Sequence, residues 1–187
     1  MQVIILASAS PQRQEYFKIM RLPFIVRPSF LEETYPEGLS PRQTAEWLAI
    51  QKILAVAGDD TWVFGADTII SIDDFLFGKP KDRMDAKRML SIMNGRPHQA
   101  ITGIALMSDR RLVSSSVESE VEFADISDAE MEWYLDSGDW KGTAGAYKIQ
   151  GLAGCFISGA KGSFSNIVGL PMRETYRLLN EAGYFCQ

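Results

Sequence analysis

The sequence has 187 residues, of which 46% are hydrophobic and 11% are aromatic, and its formal net charge is −5. A chain of this size can bury one substantial core or two small lobes that share a cleft, and its acidic balance argues against a broad basic surface for nucleic acid. Its apolar stretches are shorter than the roughly 20 residues of a membrane span and its N-terminus lacks the pattern of a secretory signal, so we expect a cytoplasmic protein without a membrane anchor.

The first part of the chain predicts two strands and two helices. Residues 3–7 are apolar and mostly β-branched, which is typical of a short buried strand. Ser10 then has the position of a helix N-cap and Pro11 that of a first helical residue. Residues 23–26 predict a second strand, and the pattern from Ser40 to Gly58 predicts a second helix. The side chains expected to face inward on that helix are Ala45, Leu48, Ile53, Leu54 and Ala57.

The rest of the chain continues with a hairpin, further strands and three more helices. The stretch TWVFGADTIISIDDFLFGKP predicts two strands folded at Asp73–Asp74. The other predicted elements are a helix over 85–95, strands over 98–108 and 111–127, a helix from the Ser127 cap through Leu135, and a closing helix over 170–183. The glycine-rich region from Gly142 to Gly169 has no predicted element. Because strands and helices alternate loosely, we expect an α/β or α+β domain with a mixed sheet.

The joint between the first strand and the first helix, ASASPQR, has two interpretations. It is either a capped turn with a solvated Arg13, or a site for a phosphate group. A helix N-terminus presents unpaired N–H groups and a partial positive charge, and the hydroxyls of Ser8 and Ser10 together with Arg13 would add donors. Spacing alone favours the capped turn, and the sequence contains neither a P-loop nor a GxGxxG motif to decide otherwise.

Asp67 is the second candidate, because it follows Gly65 and Ala66 within an otherwise hydrophobic strand. A strand disfavours aspartate, and its burial is costly without a partner. A two-residue turn in the hairpin would place Thr68 opposite Lys79, whereas a longer loop or a bulge would place Asp67 opposite Lys79. Such a pair would be a salt bridge, or it would hold a metal-bound phosphate and the attacking water.

Three other polar residues give weaker signals. Lys52 lies near the inward face of its helix, where a lysine usually extends its ammonium group to solvent. Glu33 is an ordinary loop acid by itself. His98 is the only histidine and is expected at a strand end, so neither a triad nor a multi-histidine metal site is expected. The only cysteines, Cys155 and Cys186, predict neither a zinc site nor a disulfide framework.

Six short motifs, taken together, resemble the Maf family of nucleotide pyrophosphatases. They are LASASPQRQEYF, FGADTII, FGKPKD, AKRMLSIMNGRPHQAITGIAL, GAYKIQGLAGCFI and GSFSNIVGLP, and they extend from about residue 3 to about residue 180. Each motif is short, but their number, order and spacing make the resemblance specific.

The resemblance implies a single domain over residues 1–187, with an elongated, twisted mixed sheet flanked by helices and a deep cleft between two lobes, as in the Maf and ITPase-like fold. It implies hydrolysis of nucleoside triphosphates to the monophosphate and pyrophosphate, with Mg²⁺ or Mn²⁺, by a cytoplasmic protein that often forms homodimers. The motif AYKIQG is similar to that of the dTTP/UTP branch, in which a glutamine, here Gln150, helps to select the base.

The resemblance also assigns roles to individual residues. Asp67 matches the proton acceptor, and Thr68 matches a position linked to specificity. The predicted lining of the substrate cleft consists of Ser8, Arg13, Glu33, Lys52 and Lys79, with Asp67 and Glu33 as candidate metal ligands. The family usually has two arginines after the serine–proline pair, whereas this chain has Gln12 before Arg13. Since position 12 is associated with substrate choice, this departure concerns the preferred base.

These assignments give a mechanism and two rival interpretations. Asp67, directly or through the metal, would activate water for attack on the α-phosphorus, while Lys52, Lys79 and Arg13 would neutralise the departing pyrophosphate. One rival is an enzyme that prefers a modified purine triphosphate such as 7-methyl-GTP, which Gln12 favours. The other is a nucleotide-binding regulator, for example of cell division, that does not hydrolyse its ligand. Plain nucleic-acid binding is disfavoured by the acidic charge balance.

Overall fold

The computed structural model describes residues 2–31, 34–58, 62–73, 75–109 and 111–186. The strands are β1 (Ile4–Leu6), β2 (Phe24–Val26), β3 (Trp62–Ile72), β4 (Phe75–Phe77), β5 (Pro97–Ser108), β6 (Arg111–Phe123) and β7 (Ile157–Lys161). The α-helices are α1 (Pro11–Ile19), α2 (Pro41–Val56), α3 (Arg83–Met93), α4 (Asp128–Ser137), α5 (Phe164–Val168) and α6 (Met172–Glu181). Short 3-10 helices cover Ala144–Ala146, Leu152–Phe156 and Tyr184–Cys186.

The strands form a mixed seven-stranded sheet, which confirms the predicted α/β class. Its strand order is β2-β1-β3-β5-β6-β7, with β4 paired to β3. Strand β1 is parallel to both β2 and β3. The pairs β3–β4 and β6–β7 are antiparallel. Sequence reasoning found the first six strands but not β7, which lies in the glycine-rich region.

The chain divides into two compact units, and the long strands β3, β5 and β6 contribute residues to both. Unit 1 consists of Met1–Asp67, Thr102–Val117 and Gly169–Gln187. Unit 2 consists of Thr68–Ile101 and Glu118–Val168. The assignment of residues 1–187 to a single domain stays a prediction.

In unit 1, two capped helices follow the predicted pattern. Ser10 accepts a hydrogen bond from the Arg13 N–H at the start of α1, and Pro11 occupies the first turn. Helix α2 begins with a capping box formed by Ser40 and Gln43. The expected inward position of Leu54 is wrong, because its side chain is 56% exposed. It follows Ile53, which is fully buried, and a helix turns each successive residue by 100° away from the buried side.

The core of unit 1 has two clusters. One includes Phe17, Phe64 and Leu179, and the other packs Ala49 and Ile53 of α2 against Val63 of β3. Since successive side chains of a strand point to opposite faces, β3 supplies Trp62, Phe64 and Ala66 to the first cluster and Val63 to the second. Helix α2 therefore covers the face of β3 on which Val63, Gly65 and Asp67 lie.

Unit 2 has a single large core. Helix α3 buries the four predicted residues Ala86, Met89, Leu90 and Met93. Helix α4 begins with the predicted cap, and Ser127 and Glu130 form a capping box. The glycine-rich region contains β7 and α5, where Asn166 is fully buried and donates its side-chain amide to the Ala100 carbonyl. Glycine-rich loops gave no periodic signal for these short elements.

Cys155 and Cys186 are both exposed and form no disulfide. Within the described ranges, no helix combines the length and the hydrophobicity that a bilayer span requires.

Candidate active site

The joint after β1 brings Ser8 and Arg13 together in the interior of unit 1. Ser8 is 6% exposed and Arg13 is 8% exposed. Nη1 of Arg13 donates to Oγ of Ser8 over 3.1 Å, and Nε of Arg13 donates to the Gly169 carbonyl over 2.9 Å. The interpretation of Arg13 as a solvated surface residue is therefore wrong. The guanidinium group is held at the N-terminal turn of α1, where it adds positive charge to the helix dipole.

Gln12 lies in the same turn and contacts the helix cap. Oγ of Ser10 donates to Oε1 of Gln12 over 3.1 Å, and the side chain of Gln12 is partly buried. Unlike an arginine, this side chain adds no charge to the helix N-terminus.

Asp67 and Lys52 form a buried ion pair in unit 1. Asp67 is 3% exposed and Lys52 is 8% exposed. Nζ of Lys52 donates a hydrogen bond to Oδ1 of Asp67, and the same contact is a salt bridge. The Lys52 ammonium therefore does not extend to solvent, and that interpretation of the inward lysine is wrong. The ion pair compensates for the burial of both charges.

Gly65 allows α2 to come close enough for this contact. A Cβ atom at Gly65 would lie 2.4 Å from the Ala49 carbonyl oxygen and 2.9 Å from Cγ1 of Ile53. Ala49, Lys52 and Ile53 are spaced three and four residues apart, so they lie on one side of α2. On β3, Asp67 lies two residues after Gly65 and therefore on the same face. The missing side chain at Gly65 thus places Lys52 over Asp67.

Sequence reasoning missed a second glycine that lets α2 approach the sheet closely. A Cβ atom at Gly103 of β5 would lie 2.2 Å from the carbonyl oxygen of Ala45 in α2. The signal that could have found it is an isolated glycine within a hydrophobic strand, which marks a close backbone approach. Helix α2 therefore lies directly against glycines of two neighbouring strands.

The register of the parallel strands places the start of the β1–α1 joint beside Gly65, two residues before Asp67. Ile5 pairs with Val63 and Leu6 with Phe64, and the Ala7 N–H donates to the Phe64 carbonyl over 2.8 Å. Ser8 therefore emerges from β1 at the level where β3 continues toward Asp67. The ends of parallel strands where the chain turns into a helix are common ligand sites in α/β proteins.

The hairpin has the two-residue connection. Ile72 pairs with Phe75, Ser71 with Leu76, and Ile70 with Phe77. This register excludes the longer loop that would place Asp67 opposite Lys79. The alternative with a bulge lies beyond the last pair, Ile70 with Phe77, and stays a prediction. Of the two predicted turn residues, Asp73 has a positive φ of 48° and Asp74 lies outside the described residues. Strand β4 ends at Phe77, before Lys79.

The remaining predicted site residues lie in unit 2 or outside the described ranges. Thr68 is partly buried on β3, while Lys79 and Gln150 are exposed. Glu33 lies outside the described residues, so its predicted roles stay predictions. Among the residues that the structure describes, no group of three or more His, Cys, Asp or Glu side chains is arranged to hold a metal ion.

His98 is a buried, neutral histidine in unit 2. It is the second residue of β5, as the strand-end prediction requires, and its Nε2 lies 2.8 Å from the Tyr147 hydroxyl. Burial lowers the pKa of His98 from 6.5 to about 4, and a hydrogen bond with the backbone of Arg96 opposes this shift. Burial raises the pKa of Tyr147 far above its usual range. Both groups are therefore uncharged at neutral pH.

Fold and site together define a class of protein. It is an α/β protein in which a capped strand-to-helix joint with a buried arginine lies in the same unit as a buried carboxylate–ammonium pair. The chain belongs to the family described as Maf-like protein, whose model matches residues 3–182. The predicted family is thus confirmed.

Curated relatives match almost the whole chain. It is 41% identical to the dTTP/UTP pyrophosphatase of Symbiobacterium thermophilum, covering 98% of this chain and 96% of the relative. It is 37% identical to the dTTP/UTP pyrophosphatase of Pelotomaculum thermopropionicum and 39% identical to that of Hydrogenovibrio crunogenus, covering 98% of both chains in each case. Similarity to a solved HAM1 protein from Coxiella burnetii is weak, with 14% identity, a TM-score of 0.48 and coverage of 97% of this chain and 100% of that chain, and no conclusion rests on it.

Proposed function

We propose that this protein hydrolyses dTTP and UTP to the nucleoside monophosphate and pyrophosphate, as a hydrolase acting on acid anhydrides. The relatives that carry the name dTTP/UTP pyrophosphatase support this substrate class. The observation that carries the proposed chemistry is the buried pair of Asp67 and Lys52. Modified pyrimidine triphosphates are included as candidate substrates.

In the proposed reaction, Asp67 accepts a proton from a water molecule as the water oxygen bonds to the α-phosphorus. The bond between the α-phosphorus and the α–β bridging oxygen breaks, and pyrophosphate leaves with that oxygen. The Lys52 ammonium contacts Oδ1 of Asp67 and so orients the carboxylate that would accept the proton. The contact with Asp67 supports a role for Lys52 in holding the base, beside its predicted role in neutralising the pyrophosphate.

Arg13 is proposed to bind a phosphate group at the N-terminus of α1. Its guanidinium is already oriented by Ser8 and by the Gly169 carbonyl, so little side-chain entropy would be lost on binding. Lys79 is proposed as a second phosphate ligand from its position in the family motif. Thr68 and Gln150 are proposed to contribute to base selection.

A divalent cation, Mg²⁺ or Mn²⁺, is part of the proposal. Mg²⁺ is commonly bound by one or two carboxylates together with substrate phosphates, so a buried carboxylate such as Asp67 fits this chemistry. Asp67 would hold the ion, with Glu33 as a second candidate ligand. When bound, the ion would neutralise charge on the phosphate oxygens. A cytoplasmic homodimer is proposed on the family resemblance alone.

The departure at position 12 supports one alternative substrate. Gln12 bonds to Ser10 and carries no charge, so preference for a modified purine triphosphate such as 7-methyl-GTP is the second candidate. A nucleotide-binding regulator without turnover is the third. A panel of nucleoside triphosphates distinguishes both from the main proposal.

The test compares the wild type with Asp67→Asn on dTTP, UTP, dCTP and 7-methyl-GTP, with Mg²⁺ or Mn²⁺. Because general-base catalysis contributes roughly 100- to 10,000-fold, we expect Asp67→Asn to lose pyrophosphate release by that factor. Nucleotide binding, measured by calorimetry, should remain. The control is Asp73→Asn, which removes an exposed ion pair with Arg96 and should retain full turnover.

The possible results separate the three functions. Release of pyrophosphate from dTTP and UTP by the wild type, lost in Asp67→Asn, supports the proposal. Faster turnover of 7-methyl-GTP than of dTTP and UTP by the wild type would support the purine alternative. Binding without turnover by the wild type would support the regulator, and normal turnover by Asp67→Asn would refute the role of this residue.

A further inference from the structure

The loop Lys148–Leu152, which carries Gln150, is held by one carboxylate. Oδ1 of Asp139 accepts a hydrogen bond from Nζ of Lys148 over 3.0 Å, and Oδ2 accepts one from the backbone N–H of Leu152 over 3.1 Å. A backbone hydrogen bond of 3.0 Å from the Gly151 N–H to the Lys148 carbonyl closes the turn between these two contacts. Asp139 thus holds the loop at both of its ends.

Asp139 is itself fixed by the end of α4. Gly138 terminates this helix in the left-handed conformation, with φ of 72°. The Asp139 N–H donates to Oγ of Ser137 over 3.1 Å, and Oγ of Ser137 donates to the Tyr134 carbonyl over 2.6 Å. The carboxylate therefore projects from a defined turn.

Packing under the loop leaves little room for another arrangement. A Cβ atom at Gly151 would lie 2.4 Å from Oδ2 of Asp139, so only glycine allows the carboxylate to approach the Leu152 N–H. Ile149 packs against the core of unit 2, while the next residue, Gln150, is exposed. The loop thus presents Gln150 outward from a backbone that is anchored on both sides of it.

We propose that Asp139 is a positioning residue that fixes Gln150 for recognition of the pyrimidine base. This inference rests on the proposed function, in which Gln150 contacts the base. Its physical reason is pre-organisation, because a side chain that selects among bases by hydrogen bonds needs a fixed backbone, and a loose support costs selectivity. Asp139 touches neither the base nor the reacting atoms in this proposal.

The chemistry of the contact dictates the test variant. Both partners of Asp139 are hydrogen-bond donors, and a carboxylate can accept from both at once. An asparagine of the same size has one acceptor oxygen and one NH₂ group, so it must turn a donor toward either Lys148 or the Leu152 N–H. Asp139→Asn therefore releases one end of the loop with almost no change in volume.

We expect Asp139→Asn to lower the selectivity for dTTP over dCTP, measured as the ratio of their kcat/KM values, by about ten-fold. The expected change is in KM, with kcat for dTTP within about three-fold of the wild type, because the reacting groups are untouched. A loss of fold stability alone would lower the active fraction equally for both substrates and would leave the ratio unchanged.

The matched control is Asp136→Asn, the same substitution three residues earlier, in the last turn of α4. Asp136 is exposed and pairs with Arg83, so its removal should leave the ratio at the wild-type value. A second variant, Lys148→Met, removes one contact but keeps the Asp139 bond to the Leu152 N–H. It should lower the ratio in the same direction by a smaller factor, and it tests the proposal if Asp139→Asn does not fold.

A readout independent of activity is hydrogen exchange at the Leu152 amide, which should be faster in Asp139→Asn than in Asp136→Asn. Unchanged exchange together with an unchanged selectivity ratio in a folded variant would overturn the positioning role. If the wild type released no pyrophosphate from either nucleotide, the proposed function would fail instead, while faster exchange would still show that Asp139 holds the loop.

Discussion

Each unit buries a pair of polar side chains, and the two pairs carry charge differently. In unit 1, Lys52 and Asp67 lie in direct contact as an ion pair. In unit 2, His98 and Tyr147 share a hydrogen bond of 2.8 Å, and burial lowers the pKa of His98 to about 4. A carboxylate and an ammonium each compensate for the burial of the other, whereas the phenol supplies a polar partner but no charge.

The surroundings of the two pairs account for this difference. Helix α2 places Lys52 over Asp67 because Gly65 removes the side chain that would separate helix and strand. His98 instead lies among rings, with edge-to-face contacts to Phe123 and Tyr147 at centroid distances of 5.1 Å and 5.4 Å. Such a setting favours the uncharged imidazole. A buried charge is thus kept where the fold supplies its counter-charge.

The largest expected effect comes from breaking the charged pair. Lys52→Met leaves the Asp67 carboxylate buried without this counter-charge, and loss of one partner of a buried pair costs about 3–5 kcal/mol. The free energy of unfolding, measured in guanidinium chloride at pH 7, should fall by that amount. The double variant Lys52→Met with Asp67→Leu removes both charges and should regain most of the loss. A fall of less than about 1 kcal/mol in the single variant would contradict a stabilising buried pair.

The neutral pair predicts a loss of stability in acid. The unfolded chain protonates His98 near pH 6.5 and the folded protein only near pH 4, so the unfolded state binds more protons between these values. The contribution of His98 to the free energy of unfolding is fully present above pH 6.5 and is lost as the pH falls toward 4. Below pH 4 the loss levels off at about 3 kcal/mol. Unfolding curves at several pH values measure the slope.

His98→Gln is the control for this prediction, because it removes the only histidine of the sequence and with it this titration. The variant should show a flatter dependence between pH 6.5 and pH 4 than the wild type. If stability depended on pH equally in the two proteins, protonation of His98 would not destabilise the fold.

A smaller effect is expected when the approach of α2 is disturbed. Gly65→Ala puts a methyl group against the Ala49 carbonyl, which belongs to the helix backbone and cannot rotate away. Such overpacking costs about 1–3 kcal/mol, and turnover should also fall because Lys52 is displaced from Asp67. Thermal unfolding and pyrophosphate release measure the two consequences.

Gly159→Ala in β7 is the matched substitution. Its added methyl group would meet Oε2 of Glu122 at 3.3 Å, the end of a flexible side chain. We expect a stability change within about 0.5 kcal/mol and unchanged turnover. Equal losses in the two variants would mean that the close approach at Gly65 does not carry the effect.

Much of the local structure was predictable from the sequence. The caps at Ser10, Ser40 and Ser127 and the two-residue hairpin depend on residues within a few positions of one another, and all four are confirmed. The family was predictable for a related reason, since its motifs are contiguous. The predicted burial of Leu54 was wrong because the apolar residues of α2 extend beyond its buried side. Hydrophobicity alone did not show where that side ends.

The candidate site was predictable as a set of residues but not as an arrangement. Asp67 was identified from its position in a hydrophobic strand, whereas its contact with Lys52 depends on the distance between helix and strand, which Gly65 sets. Asp139 gave no signal, because an aspartate after a helix-terminating glycine is ordinary in sequence. Its role follows only from the loop that returns to it.

By itself, the sequence determined the first six strands, the helix caps, the position of the hairpin turn and the family, because each depends on neighbouring residues or on contiguous motifs. The tertiary structure alone decided which polar groups meet. Lys52 reaches Asp67 from 15 residues away, and Arg13 reaches Gly169 from 156 residues away. Such contacts depend on how helices pack on the sheet. A buried charge is retained only where this packing supplies its partner.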